Sequence, residues 1–329
     1  MVIDIIGGGS LGLLHAAMLL SNSPSIDGNN VEVRLWTRTE EQALLIRNQG
    51  IYFEGQDGRV AHIHPVRAYP LEEAGEVLEQ AGMKSSCIWL FVKQTHIDSD
   101  FLGYLDRIPR EKTASLVCYQ NGVGHMEVLS SIWPREQLLW AVTTEAAKRV
   151  SSNKVIHTGS GQTSIGIWNA SSICPNKTDL ATSLCLSTKK LLENAGFQAF
   201  LSNNIEGMVY QKLLVNVIIN PLTALLRIKN GQLLAQEDRL SFMKDLFLEA
   251  VAVYRAAHID VDEEKDWNRV VQVCRMTSSN SSSMLQDVEA GRETEIEAIT
   301  GALIRMAEQY EVAVPLHRMM YRLILASCD

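Results

Sequence analysis

Paired cysteines are missing from this chain. Its six cysteines, Cys87, Cys118, Cys174, Cys185, Cys274 and Cys328, are scattered over 329 residues with no C-x-x-C pair, which excludes a dense disulfide frame and the usual zinc-ligand spacing. Positive charge is scarce as well: 30 lysines and arginines face 38 aspartates and glutamates, a formal charge of −8. That balance argues against a general nucleic-acid or anionic-membrane surface, while leaving room for a local basic pocket that takes a small anion. Long apolar runs near the start are lacking too. The segment 11–20 is too short to span a bilayer, follows a glycine turn and has no basic leader, so the expectation is neither a signal peptide nor an anchor, but a cytoplasmic protein with reduced thiols. What is present is a composition of 46% hydrophobic and 21% charged residues, the profile of a globular chain with a substantial core in one large or two ordinary domains. No repeat or low-complexity tract interrupts it, and the cluster "TSSNSSSM" at 277–284 is too short for a linker.

The stretch "IDIIGGGSLGLLHAAMLL" at 3–20 runs a β-branched strand into glycines and then into a helix-forming segment. Gly7, Gly8, Gly9, Ser10, Leu11 and Gly12 fit G-x-G-x-x-G, in which missing β-carbons let backbone N–H groups approach an anion at a helix start. A second strand, "VEVRLWTR" at 31–38, makes this the first turn of a β-α-β unit, where a dinucleotide pyrophosphate binds. The acidic residue expected after that second strand is absent. Thr37 and Arg38 stand there instead and suit a ribose 2′-phosphate, so NADP(H) is expected rather than NAD. Further strand-like runs at 87–93, 114–122 and 137–147 end in polar residues, which sets Lys93 and Asn121 at the carboxyl edge of a parallel sheet, where ligands lie. A surface charge and an ordinary turn are the plainer readings of these two, but their place at the ends of consecutive strands of a nucleotide-binding sheet favours function. "HIH" at 62–64 puts two imidazoles on one strand face, but with no third ligand no metal is expected.

Character changes near 200–212. Downstream segments have helical length and spacing, and Asn203 or Asn204 suits an N-cap, so the boundary is expected at 203: a Rossmann-type domain over 1–203 and a helical domain over 204–329. In "KLLVNVIINPLTALL" the residues Lys212, Asn216 and Asn220 recur every fourth position of an otherwise apolar helix. A helix apolar around nearly its whole girth is buried, so its polar stripe faces either buried partners or a ligand. The alternative to a ligand is a lysine paired with a carboxylate and two asparagines tying helices together. Pro221 lies in the same segment and removes one helical hydrogen bond.

Taken together, "GGGSLG", "QNGVG" at 120–124, "VIHTGSGQTSIG" at 155–166, "KLLVNVIINPLTAL" at 212–225 and "SSMLQDVEAGRETEIE" at 282–297 resemble the ketopantoate reductase family, the NADPH-dependent 2-dehydropantoate 2-reductases. The resemblance implies an α/β fold, an N-terminal Rossmann-type parallel sheet followed by an all-helical domain like that of 6-phosphogluconate dehydrogenases, with the active site in the cleft between them. It implies reduction of ketopantoate, a step of pantothenate and coenzyme A biosynthesis, by a monomer or homodimer whose partners are a 2-oxo acid and NADP(H), with no nucleic acid and no membrane. Catalysis is assigned to Lys212 and Glu295. Asn121, Asn216, Asn220, Asn280, Ser283 and Glu295 are assigned to substrate, and Lys93 and Asn121 join the glycine turn on the cofactor. Among Ser281, Ser282 and Ser283, the position before "MLQD" selects Ser283.

"TEIE" at 294–297 also reads as a capping box, with Thr294 as N-cap, Glu297 at N3 and Glu295 in the first helical turn. Three readings compete with ketopantoate reduction: another branched 2-oxo acid on the same scaffold, a catalytically dead NADPH-binding protein, and a 3-hydroxyacid dehydrogenase. The last is disfavoured because "NIEGMVYQ" before Lys212 lacks that group's glycines.

Overall fold

The computed structural model describes residues 1–22, 25–26, 29–81, 84–170, 173–174 and 177–327; Cys328 lies outside them. The chain divides into two compact units, one of Met1–Gln120 with His125–Ile205, the other of Asn121–Gly124 with Glu206–Asp329.

In the first unit the β-branched run Val2–Ile6 forms a central strand, flanked in parallel by Glu32–Thr37 and Ser85–Leu90. The eight-stranded sheet continues through Arg67–Pro70 on one side, and through Arg110–Cys118, Leu138–Thr143, Gln162–Ile167 and Gln198–Leu201 on the other. All neighbours pair in parallel except Leu138–Thr143 with Gln162–Ile167. Helices Ser10–Asn22, Glu40–Gln49 and Thr178–Asn194 connect or cover it, and Leu13, Leu14, Leu19, Trp89 and Leu192 belong to its core. Local signals set these boundaries. Thr39 caps Glu40–Gln49 by accepting from the Gln42 N–H, and Gly50, at φ 70°, ends it in a conformation that excludes most side chains.

The sequence-expected strands are all present, with shifted limits. The run at 87–93 is a strand only over Ser85–Leu90, so Lys93 begins the turn beyond it. The run at 137–147 divides into Leu138–Thr143 and Ala146–Ser151, and the latter leaves for a separate four-stranded sheet with Lys154–Gly159, Ile51–Glu54 and Val60–Ile63. On that small sheet His62 stacks on Tyr52, and His62 and His64 donate to the carbonyls of Gln49 and Arg47.

Asp4, in the middle of the central strand, is fully buried. Arg34, its register partner, donates to both carboxylate oxygens at 2.7 and 2.6 Å, Trp36 Nε1 donates at 2.6 Å, and the Ser85 hydroxyl donates as well. A buried carboxylate is tolerated only when its lone pairs are met in this way.

The second unit is helical. Ile205–Leu226 runs through its core, surrounded by Glu237–Ala256, Glu263–Met276, Ser283–Glu289, Ala302–Gln309 and Pro315–Ala326. Leu213, Leu214, Val217 and Ile218 pack with Phe247, Tyr254, Leu303 and Met320. By length and composition Ile205–Leu226 is also the one helix among the described residues apolar enough to cross a membrane; its burial in this core accounts for the apolar surface.

Replacing Asp4 with Ala would strand the Arg34 guanidinium without its counter-charge, which costs about 3–5 kcal/mol in comparable buried pairs. Urea unfolding of the Asp4→Ala variant should show a loss of that order in the transition of the sheet unit. A loss under about 1 kcal/mol, typical of surface substitutions, would show that the pair is not holding the central strands.

Candidate active site

The glycine turn follows the central strand directly. Gly7 has φ 114°, and a β-carbon on it would come within 3.0 Å of the Phe91–Val92 backbone; on Gly12 it would lie 1.8 Å from the Gly7 carbonyl oxygen. These two glycines are fixed by close packing of strand, helix and neighbouring turn. Gly9 differs: nothing lies within 4 Å of its β-carbon position, so the turn opens there onto space at the start of helix Ser10–Asn22, whose first amides lack helical acceptors. An anion cradle requires that arrangement, and the residues present fit a dinucleotide pyrophosphate.

At the end of Glu32–Thr37 the Thr37 hydroxyl is buried and donates to the Thr39 carbonyl at 2.8 Å, while Arg38 is exposed. The Arg38 guanidinium lies 3.4 Å from His96 Nε2, on the short turn Gln94–His96 that follows Lys93. His96 had no signal in the sequence. Gln120 opens the "QNGVG" motif but was given no role there; its amide donates to the carbonyls of Leu90 and Val92, both at 2.9 Å, and so fixes the segment against which Gly7 packs.

In the helical unit the polar stripe is present as read. Lys212 and Asn216 are half-buried and Asn220 is buried. Burial lowers the Lys212 ammonium from its ordinary value of 10.5 to about 8, against the opposing pull of the Glu295 carboxylate. Asn121 Nδ2 donates to Glu295 Oε2 at 3.1 Å, so lysine, glutamate and asparagine converge from three separate parts of the sequence. Of the two sequence readings of the stripe, the nearby carboxylate is the one with a visible counterpart, since Glu295 acts electrostatically on Lys212.

The capping box is not formed. Helical structure begins at Ile296 and runs into a π-helical turn over Glu297–Gly301, and the Glu295 carbonyl accepts the Ile299 N–H at 3.1 Å. Glu297 does not reach back to Thr294; Arg305 and Tyr321 donate to its carboxylate. Those two charge-assisted or hydroxyl contacts outcompete the local cap. Glu295 therefore stands at the helix entrance, one step before the expected first turn, with its side chain half-buried.

Ser283 and Asn280 are exposed, Ser283 as the first residue of Ser283–Glu289. Their neighbour Ser282 is the N-cap: its Oγ accepts the Leu285 N–H at 3.1 Å and lies 2.7 Å from the Thr223 hydroxyl, which also lies 2.7 Å from the Ile219 carbonyl. Thr223 has one proton to give. Both short contacts are hydrogen bonds at once when Ser282 donates to Thr223 and Thr223 donates to Ile219. The loop carrying Asn280 is held further by Asn230 N–H donating to the Asn280 carbonyl and by Asn230 Nδ2 donating to Thr277 Oγ1.

An open, mostly parallel sheet with a glycine turn at its first strand, followed by a helical unit that buries a lysine near a carboxylate, defines a class: the dehydrogenase-type α/β folds with a helical second unit. Family models agree with that class. Residues 3–170 match "Ketopantoate reductase PanE/ApbA" and residues 204–327 match "Ketopantoate reductase PanE/ApbA C terminal". The chain belongs to the ketopantoate reductase family. It is 33% identical over 311 residues to the 2-dehydropantoate 2-reductase of Bacillus subtilis (strain 168), covering 93% of this chain and 91% of that relative, and 27% identical over 324 residues to that of Listeria innocua, covering 98% and 95%. Among solved structures it resembles a probable 2-dehydropantoate 2-reductase from Bacillus subtilis, with TM-score 0.76, 30% identity and coverage of 99% and 100%. A D-mandelate dehydrogenase solved with NADH and anilino(oxo)acetate, at TM-score 0.86, 23% identity and coverage of 100% and 98%, shares the fold.

The Glu295 carboxylate holds the Lys212 proton on. Glu295→Gln removes that contribution and leaves burial unopposed, so Lys212 should titrate below about 8. Titration of lysines carrying a labelled ε-carbon, followed by NMR with Lys212→Met for assignment, measures this directly; an unchanged or raised midpoint would separate the two side chains.

Proposed function

We propose that this chain reduces 2-dehydropantoate to pantoate with NADPH, in the cytoplasm, as a step toward pantothenate and coenzyme A. The observation that carries the reading is Lys212, a half-buried ammonium lowered to about 8 near Glu295 and Asn121, in a member of the ketopantoate reductase family. On this reading residues 1–203 hold the cofactor and 204–329 the substrate. The bound dinucleotide supplies a hydride for the C2 ketone. Negative charge then gathers on the ketone oxygen, and Lys212 answers it twice, as a cationic donor before transfer and as the source of the proton after it. A proton bound with a midpoint near 8 is released more readily at working pH than one bound near 10.5, which suits a general acid.

Asn216 and Asn220, one and two turns along the same helix face, serve the substrate, with Asn121 approaching Glu295. Ser283 takes the substrate carboxylate, Asn280 is a further substrate contact, and Glu295 accepts from the terminal hydroxyl. Preference for NADPH over NADH rests on Arg38, exposed at the strand end where its guanidinium suits a 2′-phosphate, and on Lys93 nearby in sequence to His96.

NADPH oxidation by the purified protein with ketopantoate and a panel of branched 2-oxo acids tests the activity. Lys212→Ala should lower kcat by at least ~100-fold with NADPH affinity nearly intact, and the wild-type rate of reduction should fall as pH rises through about 8, where the ammonium is lost. Turnover close to wild type in the variant would make the lysine structural.

Glu295 separates ketopantoate from simpler substrates. A carboxylate–hydroxyl hydrogen bond contributes about 1.5–3 kcal/mol, so Glu295→Ala should lose far more kcat/KM with ketopantoate than with 2-oxoisovalerate, which lacks the hydroxyl. Equal fractional losses would take Glu295 out of substrate recognition and favour another 2-oxo acid.

A further inference from the structure

No motif singles out Arg149. It lies on Ala146–Ser151, in the small sheet, 141 positions from the glycine turn. Its guanidinium Nη1 nevertheless donates to the Gly8 carbonyl at 3.1 Å, and its backbone N–H donates to Ser10 Oγ at 3.1 Å. Gln42 grips the same carbonyl: its amide donates to Gly8 at 2.8 Å and to the Ser152 carbonyl at 2.8 Å. A β-carbon on Gly8 would meet that amide at 2.7 Å, so the contact requires glycine at this position.

Two consequences follow from donor and acceptor counting. Ser10 Oγ already accepts from Arg149, so its own proton is directed to some other acceptor at the first residue of a helix 13 residues long. A guanidinium carries five donors in a planar fork; the bond to Gly8 sets this positive charge at the turn, next to Gly9, where nothing occupies the space within 4 Å of the β-carbon position.

We propose that Arg149 is the cation that reads the pyrophosphate of the dinucleotide, and that the same strand turns the Ser10 hydroxyl into a donor toward those phosphates. This rests on the dinucleotide-dependent activity proposed above. It divides labour between two arginines: Arg38 recognises the 2′-phosphate and so distinguishes NADPH from NADH, whereas Arg149 is blind to that difference. Because Arg149 is exposed, its contribution is screened by salt.

Fluorescence and calorimetric titrations of the full chain with NADPH, NADH, ADP-ribose and adenosine 2′-monophosphate test the assignment. Arg149→Gln should weaken NADPH, NADH and ADP-ribose by a common factor of roughly three to five, the scale of one charge pair at an exposed site. It should leave adenosine 2′-monophosphate, which has no pyrophosphate, unchanged, and should flatten the salt dependence of dinucleotide binding. Arg149→Lys, which keeps the charge, should restore that dependence, and Gln42→Ala, a neutral partner of the same carbonyl, should retain it. Wild-type affinity of Arg149→Gln for all three pyrophosphates would overturn the proposal. So would a loss confined to NADPH, or the same loss and the same flattened salt response in Gln42→Ala. Failure of the wild-type protein to bind any dinucleotide would overturn the functional reading beneath it, an outcome distinct from a wild-type site that ignores Arg149.

Discussion

The approach of Gly12 to the Gly7 carbonyl, too close for any side chain, sets the geometry of the first unit. It pins the start of helix Ser10–Asn22 against the end of the central strand. The turn is then gripped from outside by side chains distant in sequence: Gln120 sets the Leu90–Val92 backbone on one side, while Gln42 and Arg149 hold the Gly8 carbonyl. Flexibility is what glycine would contribute in an open loop. Here the bare backbone instead permits contact, and the result is a rigid rim around one open position, Gly9.

The helical unit meets the opposite demand. Its central helix buries a lysine, which desolvation disfavours. The balance between burial and the Glu295 carboxylate leaves Lys212 titrating near 8, where it can both hold and give up a proton. Glu295 in turn receives Asn121 from a four-residue segment, Asn121–Gly124, that clusters with the helices although the chain on either side of it belongs to the sheet unit.

Features carried by local pattern were legible in the sequence. The first strand, the glycine turn, the second strand and the polar stripe of Ile205–Leu226 all follow from residue spacing within a window of about 20 residues, the scale on which periodicity operates. The capping box around Thr294 shows where this ends, since "TEIE" satisfies the local rule while Arg305 and Tyr321, eight and twenty-four positions away, take Glu297 instead. The contacts of Arg149, Gln42, Gln120 and His96 were illegible for the same reason. Each acts on a backbone or side chain brought near only by the completed sheet, and an arginine or glutamine at a strand or helix surface looks the same in sequence whether it faces water or a turn. The limits of the strand around 87–93 shifted because an apolar residue at a sheet edge does not reveal where pairing stops. Thr37 was visible as a residue but not as a buried hydroxyl already committed to Thr39.

The hydroxyl pair of Thr223 and Ser282 constrains side-chain chemistry in a way its distances alone do not suggest. Ser282 must accept the Leu285 amide and donate to Thr223 through one atom, and Thr223 must accept and donate through one atom as well. Among the coded side chains small enough for these buried positions, only serine and threonine pass a hydrogen bond through a single oxygen; asparagine splits the two roles between atoms, and an ionised aspartate has no proton to pass. Keeping all three bonds therefore requires serine or threonine at both positions, residues that need never touch a ligand, because the polarity of the chain ends in the backbone of the helix bearing Lys212.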